Sequence, residues 1–326
     1  MSAKVSLSFD ADKDGVAIAV VKGGEFDKET LYLHQGSDKE GKKPKQELDI
    51  SNELLRKLPA RRQVEVIREL GEAYERGIPV EHLMVKDKGA RTMYEEMLKS
   101  KKQEKSIRLP IDCTFHLIPD KKPEKRNVYY IAGASGSGKS HIAKGLAEKY
   151  QKQFPHRDVY LISKLQEDAT LDSMKTPPIR LKLDKIIANP MKDLEPFRDC
   201  MIIFDDYDSF TKPYDKLVET MMNDIATMGR HTNTTMLALT HYLSNYKKTR
   251  LMLTEATHFV LYPQSTGLQA LTYLLKTYIG MDKKDIQKLR SSSTRWVCIH
   301  KNFPMYAITE NMAWLINQVD ELTDQT

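Results

Sequence analysis

An α/β fold, with a mainly parallel β-sheet flanked by helices and a smaller α+β module at the N-terminus, is predicted by three observations. From Asn127 onward, apolar β-rich runs alternate with helical patterns, the signature of βαβ units and a parallel sheet. The first run leads into a glycine-rich segment, Gly133-Ala-Ser-Gly-Ser-Gly-Lys-Ser140, and then into a helix. A later run, Met201-Ile-Ile-Phe204, ends in the acidic pair Asp205-Asp206.

Length and composition bound this reading. The 326 residues suffice for a sizeable core in one large domain or two smaller ones. Apolar residues make up 40% and charged residues 29%, as in globular rather than disordered chains. No apolar run is long enough for a membrane span, and the N-terminus lacks the apolar core of a signal peptide. The three cysteines, Cys113, Cys200 and Cys298, match no metal-site spacing and fit an intracellular, reducing compartment. The net charge of +6 is concentrated in residues 99–126 and 276–301. Such patches suit a polyanion, and equally a solvated linker and a solvated helix face.

The N-terminal module, residues 1–120, opens with strands: Val5, Leu7 and Phe9 alternate with polar residues, and Val16–Val21 is a β-rich run. Asp10-Ala-Asp-Lys-Asp-Gly15 resembles the start of a calcium loop, but Val21 occupies the position that needs a bidentate Glu. It is expected to be a hairpin turn. Residues 36–50 are polar and loop-like. A helix follows Pro59, with Val64, Ile67 and Leu70 on one face and Gly77 as its stop; Met93, Tyr94, Met97 and Leu98 suggest another. In the second unit, residues 121–326, strands are expected at Val128–Ala132, Asp158–Ile162, Met201–Phe204, Thr234–Leu239 and His258–Tyr262. Helices are expected at Lys139–Phe154 and Asp215–Met228. Farther on, Gln269–Tyr278 and Lys283–Leu289 read as covering helices. Thr294–His300 and Met305–Thr309 read as a strand pair able to extend the sheet, and Trp296 and Trp314 as core or interface anchors.

The glycine-rich segment has the spacing of a phosphate-binding P-loop. Its glycines let consecutive amides turn inward on a phosphate, and the helix beginning at Lys139 adds its positive end. Contacts to ATP are therefore expected from Gly133, Ala134, Ser135, Gly136, Ser137, Gly138, Lys139, Ser140 and the following His141. Lys139 should reach the β- and γ-phosphates and Ser140 should hold Mg²⁺. The strand ending at Phe204 should deliver Asp205 to Mg²⁺, with Asp206 polarising the attacking water. The strand Thr234–Leu239 ends in Thr240-His241, where a polar side chain can touch the terminal phosphate or the water. Arg230 and Arg250 are candidates for a finger reaching a neighbouring subunit's nucleotide; a lone Arg is also often a surface residue.

The P-loop, the Phe204-Asp205-Asp206 strand end, Gly229-Arg230-His231-Thr-Asn233 and the strand ending in Thr240-His241 resemble the HerA–FtsK superfamily of P-loop NTPases. More narrowly, they resemble the poxvirus-type DNA-packaging ATPases of the nucleocytoplasmic large DNA viruses. The resemblance spans roughly residues 127–263. It implies a Mg²⁺-dependent ATPase that pumps double-stranded DNA into a capsid as a homo-oligomeric ring, pentamer or hexamer, with an Arg acting between subunits. Partners would be DNA and a capsid or vertex protein, in host cytoplasm, viral factory or virion. The family usually ends its sensor strand in Gln; this chain has His241, which can also hydrogen-bond a phosphate or water. Other readings are a superfamily motor with another task, a small-molecule kinase using Tyr246–Arg250 as a lid, and a nucleotide-binding subunit that hydrolyses nothing. Lys283, Lys284, Lys288 and Arg290 form a basic face suited to a DNA channel.

Overall fold

The structure, a computed structural model, describes residues 5–11, 15–35, 60–75, 83, 90–92, 94, 106–120 and 126–317. Its organising element is a ten-stranded sheet. Six strands run parallel: β6 (Val128–Ala132), β7 (Val159–Ile162), β8 (Ile179–Arg180), β9 (Met201–Phe204), β10 (Thr235–Thr240) and β11 (His258–Leu261). In space they follow the order β11-β6-β10-β9-β7-β8. Four antiparallel strands extend the β11 edge, namely β12 (Val297–His300), β13 (Tyr306–Thr309), β14 (Met312–Leu315) and β4 (Ser106–Arg108). The expected C-terminal strand pair is thus β12–β13, and it does lengthen the sheet.

β6, β9, β10 and β11 are buried at every position, as parallel strands covered on both faces must be. Alternate residues of β6 feed two cores. Val128, Tyr130 and Ala132 pack with α4 (Tyr214–Met228), α5 (Tyr246–Glu255) and α6 (Leu268–Leu274) through Val218, Met222, Ile225, Met252, Leu253 and Leu271. Tyr129 and Ile131 face the other way, onto Ala143, Leu146 and Tyr150 of α2 (Lys139–Gln153). Burying side chains of this size stabilises the sheet by about 1.5–3 kcal/mol each. Between β8 and β9 the chain forms α3 (Leu183–Ala188), and after α6 it forms α7 (Lys283–Ser291). Trp296 and Trp314 are both core residues.

The N-terminal residues form a separate four-stranded antiparallel sheet, β1 (Val5–Ser8), β3 (Thr30–Gln35), β2 (Val16–Lys22) and β5 (Thr114–Leu117), in that spatial order. Its apolar face, including Leu7, Val21, Leu31 and Phe115, shares one core with α2 and β6. One expectation is corrected here. β1 and β2 do not pair with each other; both flank β3. Val5–Ser8 and Val16–Lys22 therefore do not form the expected hairpin, and β2 pairs with β3 instead; residues 12–14 lie outside the described residues. The helix α1 (Ala60–Glu75) buries Val66, Leu70 and Ala73, one face at helical spacing. The side chains of Val64 and Ile67, the loop 36–50, Pro59, Gly77, Met93, Met97 and Leu98 lie outside the described residues.

Candidate active site

The order β6-β10-β9 decides which side chains meet. β10 lies between the strand that precedes the glycine-rich loop and the strand that ends in Asp205. Register pairs Thr240 with Ala132 and Ala238 with Phe204. All three strand ends therefore come to one edge. The loop's first amide, Gly133 N–H, donates to the Thr240 carbonyl at 3.1 Å, and Asp205 N–H donates to the Ile162 carbonyl at 2.8 Å.

The loop itself turns at Gly136 and Gly138, whose φ values of 73° and 109° lie where side-chain-bearing residues are strained. Gly138 is the N-cap of α2 and offers no side chain to its first turn. The free amides of that turn remain directed at whatever occupies the loop. Lys139 is buried, and its Nζ donates back to the carbonyls of Gly133 (3.1 Å) and Ala134 (3.4 Å). The same ammonium lies 3.4 Å from Asp206 Oδ1 and 3.3 Å from His241 Nδ1. His241 Nε2 lies 3.0 Å from Asp206 Oδ2. An ammonium has no acceptor, so Nδ1 accepts from Lys139 and Nε2–H donates to Asp206. Asp206 adopts a left-handed backbone, φ 42°, at the strand end.

Asp205 is 4% exposed and takes a hydrogen bond from Ser163 Oγ at 2.9 Å. Burial pushes its carboxyl up to about 6; the Ser163 bond pulls the other way, and the neighbouring Asp206 adds to the rise. A buried carboxylate whose ionisation is opposed in this way is suited to a divalent cation, whose charge restores the ionised form. Asp205 and the Ser140 hydroxyl, in the first turn of α2, fit the Mg²⁺ that this fold implies. Asp206, Asp208 and His241 also bring ligand atoms within 4.8 Å of one another, but there the Lys139 ammonium already supplies the positive charge.

The expected fingers lie elsewhere. Arg230 is exposed in the turn between α4 and β10. This turn is bonded tightly: Thr234 N–H to the Gly229 carbonyl, Asp199 N–H to the Thr232 carbonyl, and Asn233 Nδ2 to Asp199 Oδ1. It sits at the N-terminal end of β10, so six residues of strand, roughly 20 Å, separate it from the loop edge. Arg250 is exposed on α5. The Tyr246–Arg250 segment imagined as a lid belongs to that helix, whose Met252 and Leu253 are packed in the core. Lys283, Lys284 and Arg290 are exposed on α7, whereas Lys288 leans over the Trp314 ring at 4.8 Å.

No family model matches the chain. A curated relative, the uncharacterized protein V3 of Sputnik virophage, is 34% identical over 199 residues, covering 60% of this chain and 80% of that one. The chain belongs to the V3 family. Among solved structures, the genome packaging NTPase B204 of Sulfolobus turreted icosahedral virus 2 in complex with AMP aligns at a TM-score of 0.35 and 15% identity. It covers 55% of this chain and 94% of its own. The pCW3 conjugation coupling protein TcpA aligns at 0.39 and 11% identity, over 91% and 77%.

In this V3-family chain three residues join the site that sequence reasoning missed. Ser163 follows β7 and reaches Asp205; a polar residue just after an apolar strand was its only signal. Asp208 accepts the His241 amide at 3.2 Å. Arg295 Nε donates to the Ser137 carbonyl inside the loop at 3.1 Å, and its own amide donates to Glu310. Nothing in the spacing of residues 137 and 295 forecast that contact.

Proposed function

We propose that the chain is a Mg²⁺-dependent ATPase that translocates double-stranded DNA, serving as a viral genome-packaging motor in a homo-oligomeric ring. The observation that carries this reading is the convergence of Lys139, Asp205, Asp206 and His241 at one sheet edge through the β6-β10-β9 order. The loop amides and the α2 N-terminus bind the phosphates of ATP. Lys139 leaves its intramolecular partners for the β- and γ-phosphate oxygens. Ser140 and Asp205 would hold Mg²⁺, which would supply positive charge to offset that of the phosphates. Asp206 orients and polarises water, and His241 takes the place beside the terminal phosphate where it can report hydrolysis to β10. A kinase acceptor lid has no support in α5, which is a packed helix.

Membership in a family with a virophage protein fits a viral setting, in host cytoplasm or a viral factory. Among the described residues no helix is long and apolar enough to cross a membrane. A capsid or vertex protein would anchor the ring, and Lys283, Lys284 and Arg290 supply sequence-independent contacts to DNA phosphates. The expected result is phosphate release that duplex DNA stimulates at low salt, that raised salt suppresses, and that Lys139→Ala abolishes. Hydrolysis indifferent to DNA at low salt would reject the translocase reading.

Arg230 acts on a neighbour's nucleotide, since its own lies at the opposite edge of the sheet. Arg230→Ala should lower hydrolysis by about a thousandfold or more. Mixing it with Lys139→Ala subunits should restore part of the rate, because some junctions then pair an intact loop with an intact Arg230. Mixed assemblies with no recovery would remove Arg230 from that role.

A further inference from the structure

Arg295 reaches the glycine-rich loop from outside the parallel sheet. It lies just ahead of β12, in the antiparallel extension, 158 residues beyond Ser137. Its Nε–H donates to the Ser137 carbonyl at 3.1 Å. A Cβ at Gly138 would meet its Nη2 at 3.4 Å and its Cζ at 3.7 Å, so the guanidinium lies against Gly138 as well. The backbone that presents this side chain is tied down. Arg295 N–H donates to Glu310 Oε2 at 3.0 Å, and the Glu310 carbonyl accepts from Phe115 N–H of β5 at 2.7 Å. Thr294, buried beside it, donates its hydroxyl to the Trp296 carbonyl at 2.7 Å.

The peptide plane between Ser137 and Gly138 is where such an anchor matters. Among the described residues the cis peptides precede Pro213 and Pro304, so this one is trans, and its C=O and N–H point in opposite directions. A plane of this kind turns over through the backbone angle before it and the φ after it. Here that φ belongs to a glycine at 109°, which little restricts it. The Gly138 carbonyl is already taken, accepting from Ile142 N–H at 3.1 Å as α2 begins. Fixing the Ser137 carbonyl therefore fixes where the Gly138 N–H points.

We propose that Arg295 is a positioning residue of the phosphate loop: its bond to the Ser137 carbonyl keeps the Gly138 N–H turned towards the phosphates. The proposal rests on the ATP-binding reading above. It assigns part of that site's affinity to a side chain outside the glycine-rich segment, on a backbone joined through Glu310 to the N-terminal sheet. A charged donor on the carbonyl also polarises the peptide and strengthens its N–H as a donor.

Three variants separate positioning from a charge acting directly on the ligand. Arg295→Gln places its amide nitrogen as many bonds from the backbone as the Arg Nε, so it keeps the donor and loses the charge. Arg295→Lys keeps the charge but carries its nitrogen one bond farther out, and Arg295→Ala loses both. Binding of ATP and of inorganic tripolyphosphate, each with Mg²⁺, is measured by calorimetry on the full chain. Each variant is kept well below its melting temperature, so that lost stability does not count as lost affinity. Arg295→Ala should weaken both ligands alike, by about tenfold, a loss of roughly 1.4 kcal/mol. Arg295→Gln should bind both within about threefold of the parent, and more tightly than Arg295→Lys. Parent-like binding by Arg295→Ala would overturn the positioning role and leave the ATP reading standing. So would affinity that follows charge, with Arg295→Lys recovered and Arg295→Gln as weak as Arg295→Ala, and so would a loss confined to ATP. A parent that binds neither ligand would overturn the ATP reading and the positioning role with it.

Discussion

At Asp205 a carboxylate is held where its ionised form is least welcome. Its folded-state value, about 6, lies above the ordinary carboxyl value of 3.8. The folded chain thus resists losing this proton, and the cost of ionisation is absent below about 3.8, grows as pH rises, and is complete above about 6. Replacing the carboxylate by its neutral isostere removes that cost. Asp205→Asn should therefore raise the melting temperature at pH 8 without Mg²⁺, by about 1–3 kcal/mol in stability. The gain should shrink as pH falls from 6 towards 4. A gain that grew on acidification would contradict the burial argument. Lys139 and Asp205 were legible in the sequence because loop spacing and an apolar strand with an acidic end are local patterns. Ser163 and Arg295 were not, because their roles depend on which strands become neighbours, and no local pattern states that.

Elements were legible where they carry a period or a long apolar run. β6, β9, β10, α2 and α4 fall within a residue or two of expectation. β8 has two residues and α3 buries none of its side chains, so neither leaves a pattern to detect. β14, Met312-Ala-Trp-Leu315, is buried throughout, and such a short unbroken run does not distinguish strand from helix. The Gly229–Asn233 turn was the most distinctive stretch of the sequence, yet much of it is architectural. Arg126 donates to the carbonyls of Ile225 and Ala226 at 2.6 and 2.7 Å, closing the end of α4. A Cβ at Gly229 would run into the Ile225 carbonyl oxygen and the Arg126 guanidinium. Arg126→Ala should destabilise the chain by about 1–3 kcal/mol through the lost charged bonds to the helix end. Arg126→Lys should recover only part of this, since an ammonium lacks the fork that reaches both carbonyls. Thermal unfolding measures both, and an unchanged midpoint for Arg126→Ala would contradict the cap.

Across the whole molecule, one sheet separates two kinds of surface. Its loop edge gathers Lys139, Asp205, Asp206 and His241. Its opposite edge presents Arg230, exposed in the turn before β10 and a strand's length from that loop. The N-terminal strands share their core with α2, and β4 joins the large sheet through β14, so residues read as a separate module are bonded into the body. That join was invisible beforehand because β4, Ser-Ile-Arg, is too short to signal. In the proposed function this edge is a single centre for hydrolysing ATP, with binding and chemistry on different residues. Asp206→Asn separates the two when ATP binding and phosphate release are measured on the same preparation in Mg²⁺. Binding should stay close to that of the parent, and phosphate release should fall on the order of 100-fold. Binding intact and phosphate release at the parent rate would contradict it.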